Sequence, residues 1–236
     1  MADKSSLGIA VNIFTSPNEA FAALREQPRV LLPILVLLVG YCAVSFVYMN
    51  AVDLPWFMDV QLQSGSANLT DAQREQAVTA AASVSPMVYG AVFALTSIAF
   101  VLLWMFVTAA YYTGVSFVTN DGVKLKQWFA LICWCALPTV LGIVAQLVNL
   151  MASDARFMLQ DAINPLSFGN LFSIEREGAS ILQRTLLSID LTALWALVLT
   201  VLGYQTWTKS SMVKTVAIVL GPLAVIVAIG TLLALT

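Results

Sequence analysis

The sequence predicts an all-α protein, a polytopic membrane bundle of five transmembrane helices with the N-terminus cytoplasmic and the C-terminus periplasmic. Three observations predict it. The first is composition: 60 % of the 236 residues are hydrophobic, 10 % are charged, and the mean hydropathy is +0.87. Soluble proteins carry about 25 % charged residues, so this chain has too little polar side chain to cover a water-facing surface. The second is length: a bilayer core takes about 20 apolar residues in a helix, and Val30–Val52, Val88–Thr113, Phe129–Met151, Ile189–Tyr204 with its flanks, and Val213–Leu235 meet that need. Barrel strands would show short alternating segments instead. The third is charge. Lys4, Arg25, Arg29, Lys124, Lys126, Lys209 and Lys214 fall on one side of these spans, and Arg74, Arg156, Arg176 and Arg184 on the other. Cytoplasmic loops carry the Lys/Arg excess, which puts the N-terminus inside.

Residues 1–29 form a cytoplasmic segment ahead of a transmembrane domain, residues 30–236. The opening stretch lacks the apolar region and small-residue cleavage site of a signal peptide, so the first span is expected to stay. Ser16-Pro17-Asn18-Glu19 reads as a cap, a first-turn proline and a glutamate placed for a capping box. The short amphipathic helix it opens, Pro17–Gln27, carries Phe21 and Leu24 on one face and lies on the membrane or leads into the first span. In the first outer segment Thr70-Asp71-Ala72-Gln73 caps an alanine-rich helix to Ser83, and Asn68-Leu69-Thr70 matches a glycosylation acceptor. Pro138 is expected to bend the third span, because proline removes a backbone donor and crowds the carbonyl four residues earlier. In the second outer segment Phe168, Leu171, Phe172 and Ile174 follow the break at Asn164-Pro165-Leu166. Tyr111, Tyr112, Trp128, Tyr204 and Trp207 are expected at the inner interface, Trp56 and Tyr89 at the outer one. Trp104, Trp134 and Trp195 are expected to pack between helices. The pairs Lys124/Pro138 and Lys209/Pro222 echo each other too faintly to imply an internal repeat.

Chemistry is sparse. The chain has no histidine, which removes the commonest general base and metal ligand. Cys42, Cys133 and Cys135 lie in apolar stretches and read as core residues; Cys133 and Cys135 point to nearly opposite sides of a helix. Net charge is -2 with no basic tract, which argues against nucleic acid. No nucleophile–base pair or paired carboxylates can be read, so neither catalysis nor a cofactor or metal is expected. The candidate site is an intramembrane polar cluster of Gln146, Asn149 and Asp190, with Arg156 or Arg184 as counter-charge. Asp190 has a second reading, a first-turn acid at the N-terminus of the fourth span. Gly40, Ala43, Gly142, Ala145 and Gly230 are candidate helix-packing positions. These features fit a non-catalytic scaffold or accessory subunit that meets lipids and other membrane proteins or itself. A small lipid or solute transporter is the alternative.

The order of several short motifs resembles the bacterial branch of the YIP family, the Ypt-interacting membrane proteins with a Yip-one domain. They are Phe14-Thr15-Ser16-Pro17 with Ala20-Phe21 and Leu24-Arg25, Ala136-Leu137-Pro138, Asn164-Pro165-Leu166-Ser167, Asp190-Leu191-Thr192-Ala193-Leu194-Trp195 and Leu202-Gly203-Tyr204. The resemblance runs from about Ile13 to Leu235. It implies a five-helix fold with a cytoplasmic N-terminus in a bacterial inner membrane, and some such relatives accompany export systems. Eukaryotic relatives are tied to Rab-type GTPases. Their acidic Asp-Leu-x-Gly-Pro signature and long N-terminal region have no counterpart here, so no Rab-type GTPase partner is expected.

Overall fold

The computed structural model describes residues 5–64, 69–174 and 181–235. Twelve α-helices and one 3-10 turn make up the architecture among them; the only ladder pairing there is the isolated bridge between Ser167 and Asp190. In chain order the helices are α1 (Ser6–Thr15), α2 (Pro17–Glu26), α3 (Leu31–Ala51), α4 (Leu54–Ser64), α5 (Asp71–Ala82) and α6 (Pro86–Thr119). Then follow α7 (Leu125–Cys135), α8 (Thr139–Ala152), α9 (Phe168–Leu171), α10 (Ile181–Ser188), α11 (Leu191–Thr208) and α12 (Met212–Leu235). Four stretches are long and apolar enough to cross a membrane: Leu31–Ala51, Pro86–Thr119, Leu125–Ala152 and Met212–Ile229. The fourth expected span is the helix α11. It falls outside those four, since its last turns carry Tyr204, Gln205, Thr206, Trp207 and Thr208.

The chain divides into two compact units. The first comprises residues 1–37, 100–142 and 166–236. Its core joins Ile9 and Ile13 of α1, Phe21 and Leu24 of α2, Tyr112 of α6, Trp128, Leu131 and Trp134 of α7, and Leu199, Tyr204 and Trp207 of α11. The second comprises residues 38–99 and 143–165. Buried in it are Val44, Tyr48 and Met49 of α3, Leu54 and Phe57 of α4, Ala81 of α5, Ala94 of α6, and Ile143 and Leu150 of α8.

The helix starts show which local signals act. At Thr70 the box closes: its hydroxyl accepts from Gln73 N–H at 3.3 Å, and Gln73 Oε1 accepts from Thr70 N–H at 2.9 Å. Ser16 differs from the expected cap. Its side chain makes no capping bond, and its backbone carbonyl takes the N–H groups of Glu19 and Ala20. Ser16 is the C-cap of α1 as well as the N-cap of α2, and its backbone, at φ -147° and ψ 64°, departs from the extended geometry of Ser5 and Thr70, whose side chains do cap.

Two prolines interrupt the backbone pattern of long apolar helices. Residues 136–138 form a turn between α7 and α8. There the ladder tightens to three-residue bonds: Leu137 N–H to Trp134 O at 3.1 Å, Thr139 to Ala136 at 3.0 Å and Leu141 to Pro138 at 3.0 Å. Pro222 lies inside the continuous helix α12. Proline there strips the carbonyl of Ile218 of its usual donor, and Tyr111 Oη of α6 donates to that oxygen at 3.0 Å. Gly221 makes the approach possible, since a Cβ there would stand 2.8 Å from Tyr111 Oη.

Candidate functional site

Asp190, Asn149 and Arg156, singled out from sequence, each sit in a definite local setting. Asp190 is the N-cap of α11: its Oδ1 accepts from Ala193 N–H and from Thr192 Oγ1, both at 2.7 Å. The backbone on either side is pinned, with Phe168 N–H to Ile189 O at 2.9 Å and Leu191 N–H to Leu166 O at 3.3 Å. Capping of this kind satisfies donors that a helix start otherwise leaves orphaned. Asn149 of α8 does similar work for the loop that follows it. Its Nδ2 donates to Ala162 O at 3.2 Å and Ile163 O at 3.0 Å, and its Oδ1 accepts from Ser153 Oγ. Gln146 is half-buried on the same helix. Arg156 pairs with Asp53 at 3.2 Å, while the side chain of Arg184 lies outside the described residues, as do Asn68 and Arg176.

Among the small residues, Gly40 lets α3 approach α8 closely, for a Cβ there would fall 2.7 Å from Ile143 Cδ1. A Cβ on Gly142 would stand 3.2 Å from Thr192 Oγ1 and 3.5 Å from Asp190 Oδ2, so the first turn of α8 lies against the capped start of α11. Ala43 and Ala145 are half-buried, and the burial of Gly230 lies outside the described residues. Sequence reasoning missed Gly203, whose missing side chain makes room for Leu131 Cδ1 at 2.7 Å, and Gly221. Neither has a spacing that sets it apart from the other span glycines.

The most elaborate arrangement is an aromatic clamp on α2. Trp128 and Tyr204 stack at 5.1 Å, Trp128 and Trp207 lie 5.3 Å apart, and Tyr112 meets Trp128 at 5.3 Å and Tyr204 at 5.7 Å. Each buried indole N–H finds an oxygen: Trp207 donates to Phe21 O at 2.8 Å, Trp134 to Arg29 O at 2.6 Å, and Trp128 to Ser116 Oγ at 2.8 Å. Arg25 returns a bond to Trp207 O, Gln127 Nε2 donates to Arg25 O at 2.8 Å, and Thr206 Oγ1 donates to Asn18 Oδ1 at 3.0 Å. Of the five rings expected at the inner ends of the helices, Tyr112, Trp128, Tyr204 and Trp207 are buried together in the core, and Tyr111 is exposed. Within this cluster the Trp128 and Trp207 indoles are paired, whereas the Tyr204 hydroxyl is buried without a hydrogen-bond partner. Conversely Trp104 and Trp195, expected between helices, are 46 % and 39 % exposed, while Trp134 is buried.

Outside the spans, two ion pairs order the segment that joins α3 to α6 and the loop after α8. The Asp53 carboxyl is held below its ordinary value first by the Trp56 backbone N–H and then by Arg156; Asp59 is lowered chiefly by Arg74, at 2.6 Å. Arg156 also lies 5.1 Å over the Phe157 ring, which packs edge-on to Trp56. The cysteines are all free thiols, Cys133 and Cys135 buried and Cys42 half-buried. Among the described residues no three His, Cys, Asp or Glu side chains group as metal ligands.

Several apolar helices of membrane-crossing length make this a multi-pass membrane protein with lipid as its surroundings. No curated protein and no solved structure matches the chain. The Yip1 domain matches residues 11–234, from the second half of α1 through α2, the aromatic clamp and the long helices, and the chain belongs to the Yip1 domain family.

Proposed function

We propose that the protein is a non-catalytic scaffold or accessory subunit of a membrane complex, with five spans in a bacterial inner membrane, its N-terminus cytoplasmic and its C-terminus periplasmic. The observation that carries this reading is where the polar side chains of the apolar helices spend their bonds. Ser45 donates to Tyr41 O, Asn50 to Phe46 O, Thr96 to Val92 O, Thr108 to Trp104 O, Thr113 to Ala109 O and Thr200 to Ala196 O. All are bonds to the same helix one turn back, the habit of hydroxyls that support backbone rather than line a path. With Asp190 capping α11 and Asn149 holding the loop after α8, these polar side chains support architecture. Exposed apolar stripes supply contact surface for lipid and for other membrane proteins.

The span that this reading adds to the four long apolar stretches is α11. Eighteen residues rise about 27 Å in a helix, close to the roughly 30 Å hydrocarbon core, and Leu191, Leu194 and Val198 face outward along it. Reporter fusions at Thr236 test the topology: a periplasm-active reporter working there is expected, and a cytoplasm-active one would overturn the span count or the orientation. Native mass measurement after extraction in mild detergent tests the role. A complex of fixed stoichiometry is expected; a lone monomer that drives solute or lipid flux in reconstituted vesicles would replace the scaffold by a transporter.

A further inference from the structure

The ten residues of α1 carry a contradiction if they lie in water. Ile9 and Ile13 are buried in the core, yet Leu7, Val11 and Phe14 on the opposite face are 71 %, 61 % and 42 % exposed. Their spacing of four and three places them in one stripe, so the helix is apolar on both faces. No ionisable side chain occurs between Lys4 and Glu19. Local bonds cap the helix at both ends: Ser5 Oγ accepts from Gly8 N–H at 3.0 Å, and Ser16 N–H and Thr15 Oγ1 bond back to Asn12 O and Val11 O. Its neighbour α2 is built the other way, with Asn18, Glu19, Glu26 and Gln27 exposed around a buried Phe21 and Leu24. The stripe also continues beyond α1. The Phe14 ring meets Trp195 edge-on at 5.4 Å, and Trp195 belongs to the outward flank of α11 with Leu191, Leu194 and Val198.

We propose that α1 is inserted among lipid acyl chains, its Leu7–Val11–Phe14 stripe continuing the lipid-facing flank of α11, while α2 keeps its outward face in water. The proposal rests on the reading above that α11 lies in the membrane. A lipid occupant follows from the absence of charge along the whole stripe and from its continuity with a transmembrane face. An interfacial helix of the usual kind would carry Lys or Arg on its outer side.

The test uses the full chain, with its native cysteines replaced, in nanodiscs of phosphatidylcholine and phosphatidylglycerol. Spin labels go singly at Val11, Glu19 and Val198, and collision rates are read for oxygen, which partitions into lipid, and for a water-soluble nickel chelate. At positions 11 and 198 oxygen collisions are expected to dominate, with nickel collisions several-fold lower than at 19. Nickel access at 11 equal to that at 19, with 198 lipid-exposed, overturns the proposal alone. Water access at 198 overturns the reading of α11 instead. Low collision with both reagents at 11 means that protein covers the stripe, and also overturns the proposal. The unsubstituted chain gives a second readout: a phospholipid with a diazirine in its acyl chain should label Leu7, Val11 or Phe14 and spare Asn18, Glu19 and Glu26. The reverse pattern overturns it.

Discussion

Pro138 and Pro222 pose one problem and receive two solutions. Each lies in a long apolar stretch, and each removes the donor that the carbonyl four residues earlier would have used. At Pro138 the chain solves it locally. The helix stops, residues 136–138 turn, and Leu137 N–H bonds Trp134 O at 3.1 Å. At Pro222 the helix runs on and the missing donor comes from another element, as Tyr111 Oη reaches Ile218 O past the bare Cα of Gly221. The difference teaches that a proline in a membrane helix is either a local event or a bond between helices. Only the second kind ties distant residues together, here across 107 positions.

Gly221→Val should separate the two sites most. The added side chain would evict the Tyr111 hydroxyl, combining overpacking with an orphaned carbonyl, roughly 3 kcal/mol or more; unfolding in detergent should show the lowest midpoint of this series. Tyr111→Phe should cost about 1–3 kcal/mol, and Pro222→Ala in that background should restore most of it by returning an N–H to Ile218 O. Strictly additive effects in that double-mutant cycle would break the distinction. Pro138→Ala should change stability by less than about 1 kcal/mol, because its carbonyl partner already has a donor from within the turn. The smallest shift should come from acid, which touches neither proline. Asp53 and Asp59 have lowered folded-state values, so their contribution is full above about 3.9, the ordinary aspartate value, and fades as pH falls through the lower folded values. Thermal midpoints at pH 7 and pH 3 should therefore differ less in Arg74→Gln and Arg156→Gln than in the parent chain.

The long helices were legible because lipid demands length and hydropathy, and both are visible in composition. Thr70 was legible for a different reason: a capping box is made of residues three apart, and nothing distant competes for it. What escaped reading was direction. The sequence places Trp128 and Trp195 at certain depths, but which one faces inward depends on whether a carbonyl or hydroxyl partner waits there; Ser116 waits for Trp128. α1 and α4 went unexpected because neither alternates cleanly between polar and apolar faces. For the candidate cluster, Asn149 and Asp190 were recognisable as polar groups in apolar surroundings. Their partners were not, since these are backbone groups of Ala162, Ile163 and Ala193 that any sequence would supply.

The clamp on α2 also sets a clock. Trp207 reaches the carbonyl of Phe21 across 186 positions, and Thr206 reaches Asn18 across 188. Ribosomes add about 5–20 residues per second, so the α11 part of the seat for α2 is synthesised roughly ten to forty seconds after α2 itself. Through that interval Phe21 and Leu24 have no partner from α11, and the N-terminal helix pair has only its contacts with the elements made earlier, α7 among them. A nascent chain stalled before Trp207 should leave the bond after Arg25 open to protease, and release past Lys209 should close it.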